Sequence, residues 1–205
     1  MKSKLIGALV TFGLIGGLCT FVYALTNNKI VIGYNINYEP DQPIPFSHKL
    51  HAGELKINCK YCHAGVDVSR HSPVPSLNIC MNCHLNIIGD MKNEKQQEAF
   101  TKMKDGYNSN TPVEWEKVHL LPDFVKFPHA YHIRSLEEKR AASANAAELS
   151  DESLGYKNNV CQTCHGQVQE MDVVYQFSSL SMGWCVNCHR EPEHNAPVNC
   201  GVCHY

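Results

Sequence analysis

The hydrophobic pattern divides the chain unevenly. Residues 5–25 form a 21-residue apolar run with no charged side chain, preceded by Lys2 and Lys4. That is close to the ~20 residues that cross a bilayer as a helix. The pattern predicts a transmembrane signal anchor over 1–27, with Lys2 and Lys4 holding the N-terminus inside. A cleaved secretory signal is the alternative, with Val22-Tyr23-Ala24 as a weak cleavage site, although the run exceeds the ~7–15 residues of a signal core. Both readings export the rest of the chain. Gly13, Gly16 and Gly17 give the helix a thin face suited to docking on another membrane helix. Cys19, inside the run, reads as a small apolar residue rather than a lipidation site.

Beyond the run no long apolar period appears. Gly33, Asn35, Asn37, Pro40 and Pro43 favour extended and turn structure, which predicts a linker over 28–44. Residues 92–104 are polar and free of Pro and Gly, and predict a solvated connecting helix within a connector over 91–124. The Ala- and Glu-rich stretch 137–152 predicts a surface helix or a mobile loop. Trp115 is expected to pack against a prosthetic group or a partner. The fold class is therefore mainly α with long loops and little sheet, preceded by one transmembrane helix.

Composition changes the picture at two residue types. Hydrophobic content is 43% and net charge is −2, so the basic excess of a nucleic-acid binder is absent. The chain holds 11 Cys and 12 His. Ten of the cysteines fall into five copies of one motif: Cys59-Lys60-Tyr61-Cys62-His63, Cys80-Met81-Asn82-Cys83-His84, Cys161-Gln162-Thr163-Cys164-His165, Cys185-Val186-Asn187-Cys188-His189 and Cys200-Gly201-Val202-Cys203-His204. Composition alone predicts about 0.03 such motifs, so five is not chance. Zinc sites do not require a histidine after each cysteine pair, and disulfide frameworks have no use for one. Cys-x-x-Cys-His is the attachment motif of a c-type haem: the thiols add to the vinyl groups and the histidine binds iron from one face. Five haem c groups follow, with His63, His84, His165, His189 and His204 as proximal ligands.

A repeat lies beneath the motifs. Phe46-x-His48-x-x-His51 recurs as Phe127-x-His129-x-x-His132, each ahead of further motifs. This defines modules over about 45–90 and 125–205 within a haem domain over 45–205. Residues three apart on a helix point in neighbouring but distinct directions, so one histidine of a pair serves one haem and its companion another. His48, His51, His129 and His132 are four distal candidates and His119 a fifth. Met171, Met182 and His71 are weaker alternatives, and a thioether ligand would raise that haem's potential. His71 and His194, among turn-forming residues, suit surface or supporting roles. Met81, inside a motif, suits packing. With seven histidines outside the motifs, five low-spin irons are expected.

The tandem architecture resembles class III multihaem cytochromes. The segments Gln42-Pro43-Ile44-Pro45-Phe46-Ser47-His48-Lys49-Leu50-His51, Pro75-Ser76-Leu77-Asn78-Ile79-Cys80, Val118-His119-Leu120-Leu121-Pro122 and Met182-Gly183-Trp184-Cys185 are similar to the pentahaem membrane-anchored cytochrome c subunit (ActA) of bacterial alternative complex III. The stretch 134–157 is longer than that family's pattern. The resemblance implies an electron-transfer subunit, not itself an enzyme, that passes electrons from a quinol-oxidising complex toward a cytochrome c or terminal oxidase. It implies iron–sulfur and polytopic quinol-binding subunits and a mono-haem cytochrome c as partners, and an inner-membrane location with the haem domain on the periplasmic side. Two other classes stay open: a stand-alone anchored quinol dehydrogenase, and a multihaem reductase with an open iron.

Overall fold

The structure is a computed structural model that describes residues 2–26, 35–89, 92–143 and 160–205, without the side chains of 2–5, 8, 25 and 143. Helix α1, Lys2–Thr26, is continuous over 25 residues. Its described side chains are mostly apolar and, Ala24 aside, exposed, among them Phe12 at 76% and Leu14 at 71%. None of its four glycines has another atom within 4 Å of the place a Cβ would take, and Cys19 is exposed. Thr11 and Thr20 hydroxyls donate to the carbonyls of Gly7 and Gly16, so these polar groups are satisfied within the helix. Among the described residues no helix is long and apolar enough to cross a membrane. The transmembrane helix expected over 1–27 is therefore not supported by the described residues, although Lys2–Thr26 is one unbroken helix.

The rest of the described chain is built from short helices, each with a local cause. The π-turn Lys49–Glu54 carries His51 and follows directly on His48. Helix α2, Cys59–Cys62, is started by the Asn58 side chain, which accepts from the Lys60 amide at 2.9 Å. Helix α3, Leu77–His84, ends in the second motif. In α4, Glu94–Ser109, Asn93 caps the start and Asn110, in the left-handed region, ends it. Helix α5, His129–Ser143, begins with the second histidine pair. Helix α6, Gln162–His165, holds the third motif and ends at Gly166, where φ is +70° and a Cβ would strike the Phe177 ring. A 3₁₀ turn, Val168–Glu170, follows. Helix α7, Met182–Arg190, is capped by Ser181, which accepts from the Trp184 amide. Helix α8, Cys200–Cys203, carries the last motif. Among the described residues there is no strand, only an isolated antiparallel bridge between Val125 and His204.

Conventional core is scarce. The buried apolar side chains among the described residues are Val66, Leu77, Met81, Met103, Ala130, Ile133 and Met171. Leu77, Met81 and Met103 form one cluster, with Ile44, Phe100 and Val113 packed on it. This corrects one expectation. The connecting helix is not simply solvated: α4 supplies Met103 and Phe100 to the cluster. The described part of the linker also makes contacts of its own. It supplies Ile44, and it is stitched to distant chain by Asn37 N–Gln176 O at 2.8 Å and Gln176 N–Tyr38 O at 3.0 Å. Gln42 exchanges two hydrogen bonds with the Glu116 backbone. Gln176 is 1% exposed, so its paired backbone satisfies groups that would otherwise be costly to bury. Trp115 is half-buried. Residues 28–34 of the linker expectation and 144–152 of the Ala/Glu-rich stretch lie outside the described residues; 137–143 belong to α5.

The two modules are interlocked. The π-turn sits on the 3₁₀ turn that follows the third motif: Lys49 N donates to Met171 O at 3.0 Å, and Ser47 Oγ donates to Asp172 at 2.7 Å. Helix α5 sits in turn on the loop that follows the first motif. There His129 N donates to Arg70 O, Ala130 N to Ser69 O and Arg134 Nε to Asp67 O. Lys60 bridges Asp67 at 3.2 Å and Glu137 at 2.8 Å. Burial opposes its charge, but these hydrogen bonds hold Lys60 above its ordinary value.

The closest approach is at Gly53, where a Cβ would overlap the Gln169 carbonyl oxygen. Both sides of that contact are backbone, so neither yields easily. Gly53→Ala is expected to destabilise the haem-loaded protein by about 1–3 kcal/mol through overpacking. Gly183→Ala, in open space, should be neutral or slightly stabilising. Thermal unfolding of the two variants against the parent checks this; a Gly53 variant as stable as the parent would contradict the packing.

Candidate metal and cofactor centre

Each histidine pair builds the same local cage. Phe46 stacks on His51 with ring centroids 4.3 Å apart and an interplanar angle of 24°, and meets His48 edge-on at 4.8 Å. Phe127 stacks on His132 at 4.3 Å and 27°, and meets His129 edge-on at 4.9 Å. The first pair rides on a π-turn and the second on an α-helix, yet the rings take the same arrangement. The second histidine of each pair also bonds through Nδ1 to the carbonyl four residues earlier, Ser47 or Pro128, at 2.9 Å.

Four other rings are held the same way. Nδ1 of His63 meets Pro73 O at 2.9 Å, His84 meets Ile87 O at 2.8 Å, His189 meets Pro197 O at 2.6 Å and His129 meets Arg70 O at 3.2 Å. A carbonyl only accepts, so Nδ1 carries the proton in each ring and Nε2 presents a lone pair. This is how metal-binding histidines are oriented and made more basic.

Two histidine ring pairs stand at a spacing that would admit a metal ion. His51 faces His84 with centroids 6.1 Å apart, and His132 faces His189 at 5.9 Å. Two metal–nitrogen bonds of about 2 Å each, plus the distance from each ring centre to its nitrogen, come to roughly 6 Å. An iron fits between either pair. His119 lies beside His165, with Nε2 3.3 Å from Nδ1. His48, His129, His63 and His165 lie close enough for their charges to interact. His48 Nδ1 is enclosed without a hydrogen-bond partner.

The remaining candidates stand apart from these pairs. His204 has Phe124 as its ring neighbour at 5.7 Å, rather than another imidazole. His71 and Met182 are exposed and Met171 is buried. His194 is engaged by Lys139, which donates to its carbonyl, and by Glu191. With Cys188 and Glu191 it could surround a small cation, but Lys139 lies 3.3 Å from its Nδ1 and Cys188 belongs to a motif.

The motif sulfurs form a connected series. A hydrogen bond between the Cys59 and Cys161 thiols lowers the first and raises the second. Burial, then Cys59 and Cys83, raise Cys62. Burial, then Cys188 and Cys185, push Cys164 up to about 11. Burial, then Cys203, raise Cys185. These sulfurs, partly exposed and each in a motif that ends in histidine, suit thioether attachment of haem c. Tyr61 and Asn82, the spacer residues of two motifs, are hydrogen-bonded at 3.1 Å. That contact and the Lys60 bridge were not expected from the sequence, because spacer positions carry no signal in the motif.

Burial, with His63 and then His51 nearby, pushes His48 down to about 4. Burial is also the first cause for His119, His129 and His132, all lowered, and for His165, at about 3. These rings are neutral near pH 7, the form that binds metal. A histidine depressed below its unfolded value takes up a proton on unfolding, so its contribution is complete above that value and lost as pH falls. Stability should therefore decline as pH drops from 6.5 toward about 4. A bound iron competes with the proton in the same direction. Thermal melts across that window check this, and a flat profile would contradict it.

No protein-family profile matches the chain. It is similar to the multihaem cytochrome c subunit of menaquinone reductase from Nitratidesulfovibrio vulgaris, 28% identical over 180 residues, covering 81% of this chain and 78% of that one. The likeness supports a multihaem cytochrome c, and with it haem c and an electron-transfer role. It is a likeness to a menaquinone reductase subunit, and does not single out alternative complex III.

Proposed function

We propose that this chain is a membrane-anchored electron-transfer subunit carrying five covalent haem c groups. The observation that carries the reading is a repeated geometry: His51 opposite His84 at 6.1 Å and His132 opposite His189 at 5.9 Å, with Nδ1 committed to a backbone carbonyl in all four rings. The haems supply the one-electron chemistry. The chain's residues hold them at fixed spacing, choose axial ligands, and tune potential through burial and hydrogen bonds to the ligands. No nucleophile or acid–base pair is needed. On this reading helix α1 serves as the membrane anchor: residues 5–25 carry no charged side chain and the Thr11 and Thr20 hydroxyls bond within the helix, which suits lipid. The haem domain then lies on the periplasmic side of a bacterial inner membrane.

The partners are the other subunits of a membrane quinone-linked complex. One reading, from the resemblance, is a quinol-oxidising alternative complex III with iron–sulfur, polytopic and mono-haem subunits. A second is favoured by the menaquinone reductase relative, in which electrons flow toward the quinone. Purification in mild detergent separates these from a stand-alone dehydrogenase. Co-purification with iron–sulfur and polytopic subunits is expected, and a solitary chain would exclude both complexes. The direction of electron flow is then read from whether quinol reduces the haems or reduced haems reduce the quinone.

Two further outcomes test the core of the proposal. Intact mass and the pyridine haemochrome should give five covalent haems per chain, one for each motif. His51→Ala and His132→Ala should each turn one iron high-spin and able to bind carbon monoxide, leaving the rest low-spin. A variant whose spectrum matches the parent would remove that histidine from the ligand set.

A further inference from the structure

The motifs need not lie in space in the order in which they are written. We infer that the five attachment motifs run in space as second, first, third, fourth, fifth, so that the first and third form the junction between modules and the second and fifth are the two ends of the electron path. The inference rests on the proposed haem loading.

Each step has a contact. The second and first motifs meet through the hydrogen bond between Asn82 and Tyr61, at 3.1 Å. Cys62 and Cys80 also lie within electrostatic reach of each other. The first and third meet at the Cys59–Cys161 thiol hydrogen bond. Thioether sulfurs sit at the rim of a haem, so sulfurs in contact bring two rims together. The third and fourth approach through Cys164 and Cys185. The fourth and fifth approach through Cys185 and Cys203. Ala196 N bonds to His189 O and His189 Nδ1 to Pro197 O, which folds the intervening segment back toward the fourth motif.

The reason for the reordering is the reciprocal docking of the modules. The π-turn of the first module lies on the turn behind the third motif, and α5 of the second lies on the loop behind the first. Each docking clamps the first motif of one module against the first motif of the other. The second motif is displaced outward, where it is held by Leu77, Met81 and Met103 of the α3–α4 cluster. Written order would instead make the first motif an end and the second an interior site.

The test uses the full-length, haem-loaded protein. Cys80→Ala with Cys83→Ala removes the second attachment, and Cys59→Ala with Cys62→Ala removes the first. Redox titration followed by electron paramagnetic resonance counts the remaining haems whose potential or g-values shift. Removing the second haem should disturb one neighbour and removing the first should disturb two; the reverse would overturn the order. Removing the fifth, with Cys200→Ala and Cys203→Ala, should disturb the fourth-motif haem alone. Arg70, in the loop behind the first motif, lies 5.3 Å from the Tyr205 ring. A shift of the first-motif haem on removal of the fifth would therefore mean a closed ring and overturn the linear path. If a variant fails to mature, the structure of the haem-loaded parent decides. The first-to-third iron distance should be shorter than the second-to-third, and the opposite ranking would overturn the order. A mature chain without covalent haem would overturn the proposed function itself, whereas five haems in another order would overturn only this inference.

Discussion

An imidazole offers a metal only one nitrogen at a time, and the other must be committed elsewhere. That constraint runs through the whole chain. In six histidines Nδ1 is tied to a backbone carbonyl, which settles the proton and turns Nε2 outward. Five of the carbonyls lie within ten residues of the ring, such as Pro128 ahead of His132 and Pro197 beyond His189, and the sixth, Arg70 O at His129, comes from 59 residues away. Much of the irregular backbone therefore serves to aim a ring. The Phe46 and Phe127 stacks reinforce this by fixing ring planes that a lone hydrogen bond would leave free to tilt.

A chain organised this way has little side-chain core of its own. Seven buried apolar residues among those described leave far less apolar burial than a domain of this length ordinarily has. Attached macrocycles, each bridged by two thioethers and two axial ligands, would supply the missing interior. Until they are attached, cohesion rests on backbone hydrogen bonds between modules, on the Lys60 bridge and on the small α3–α4 cluster. The bridge is partly exposed and contributes modestly. The backbone contacts and the close approach at Gly53 matter more, because they set the register in which the modules meet.

The same register links packing to electron transfer. If the π-turn slid along the 3₁₀ turn, the separation of the first and third motifs would change before any ligand was lost. Charge around this junction is held down by burial: His48 and His165 are pushed far below the ordinary histidine range. Neutral rings at the centre avoid repulsion among histidines that lie close together. They also leave each potential to be set by the ligand and its hydrogen bonds rather than by stray protons.

The sequence by itself determined the chemistry. Five Cys-x-x-Cys-His motifs and two Phe-x-His-x-x-His repeats are local patterns, and their meaning does not depend on what lies across the fold. The scarcity of sheet and the apolar N-terminal helix were legible for the same reason, since each follows from neighbours along the chain. Other features required tertiary contacts. The described linker residues are stitched to Gln176 and Glu116, and the polar-looking α4 turns Met103 and Phe100 inward against Leu77 and Met81. His51 faces His84 and His132 faces His189, and the first motif rather than the second abuts the third. Each of these pairs residues far apart in sequence or chooses among several equivalent histidines. Spacing within a motif cannot make that choice, because it is made by the reciprocal docking of the two modules.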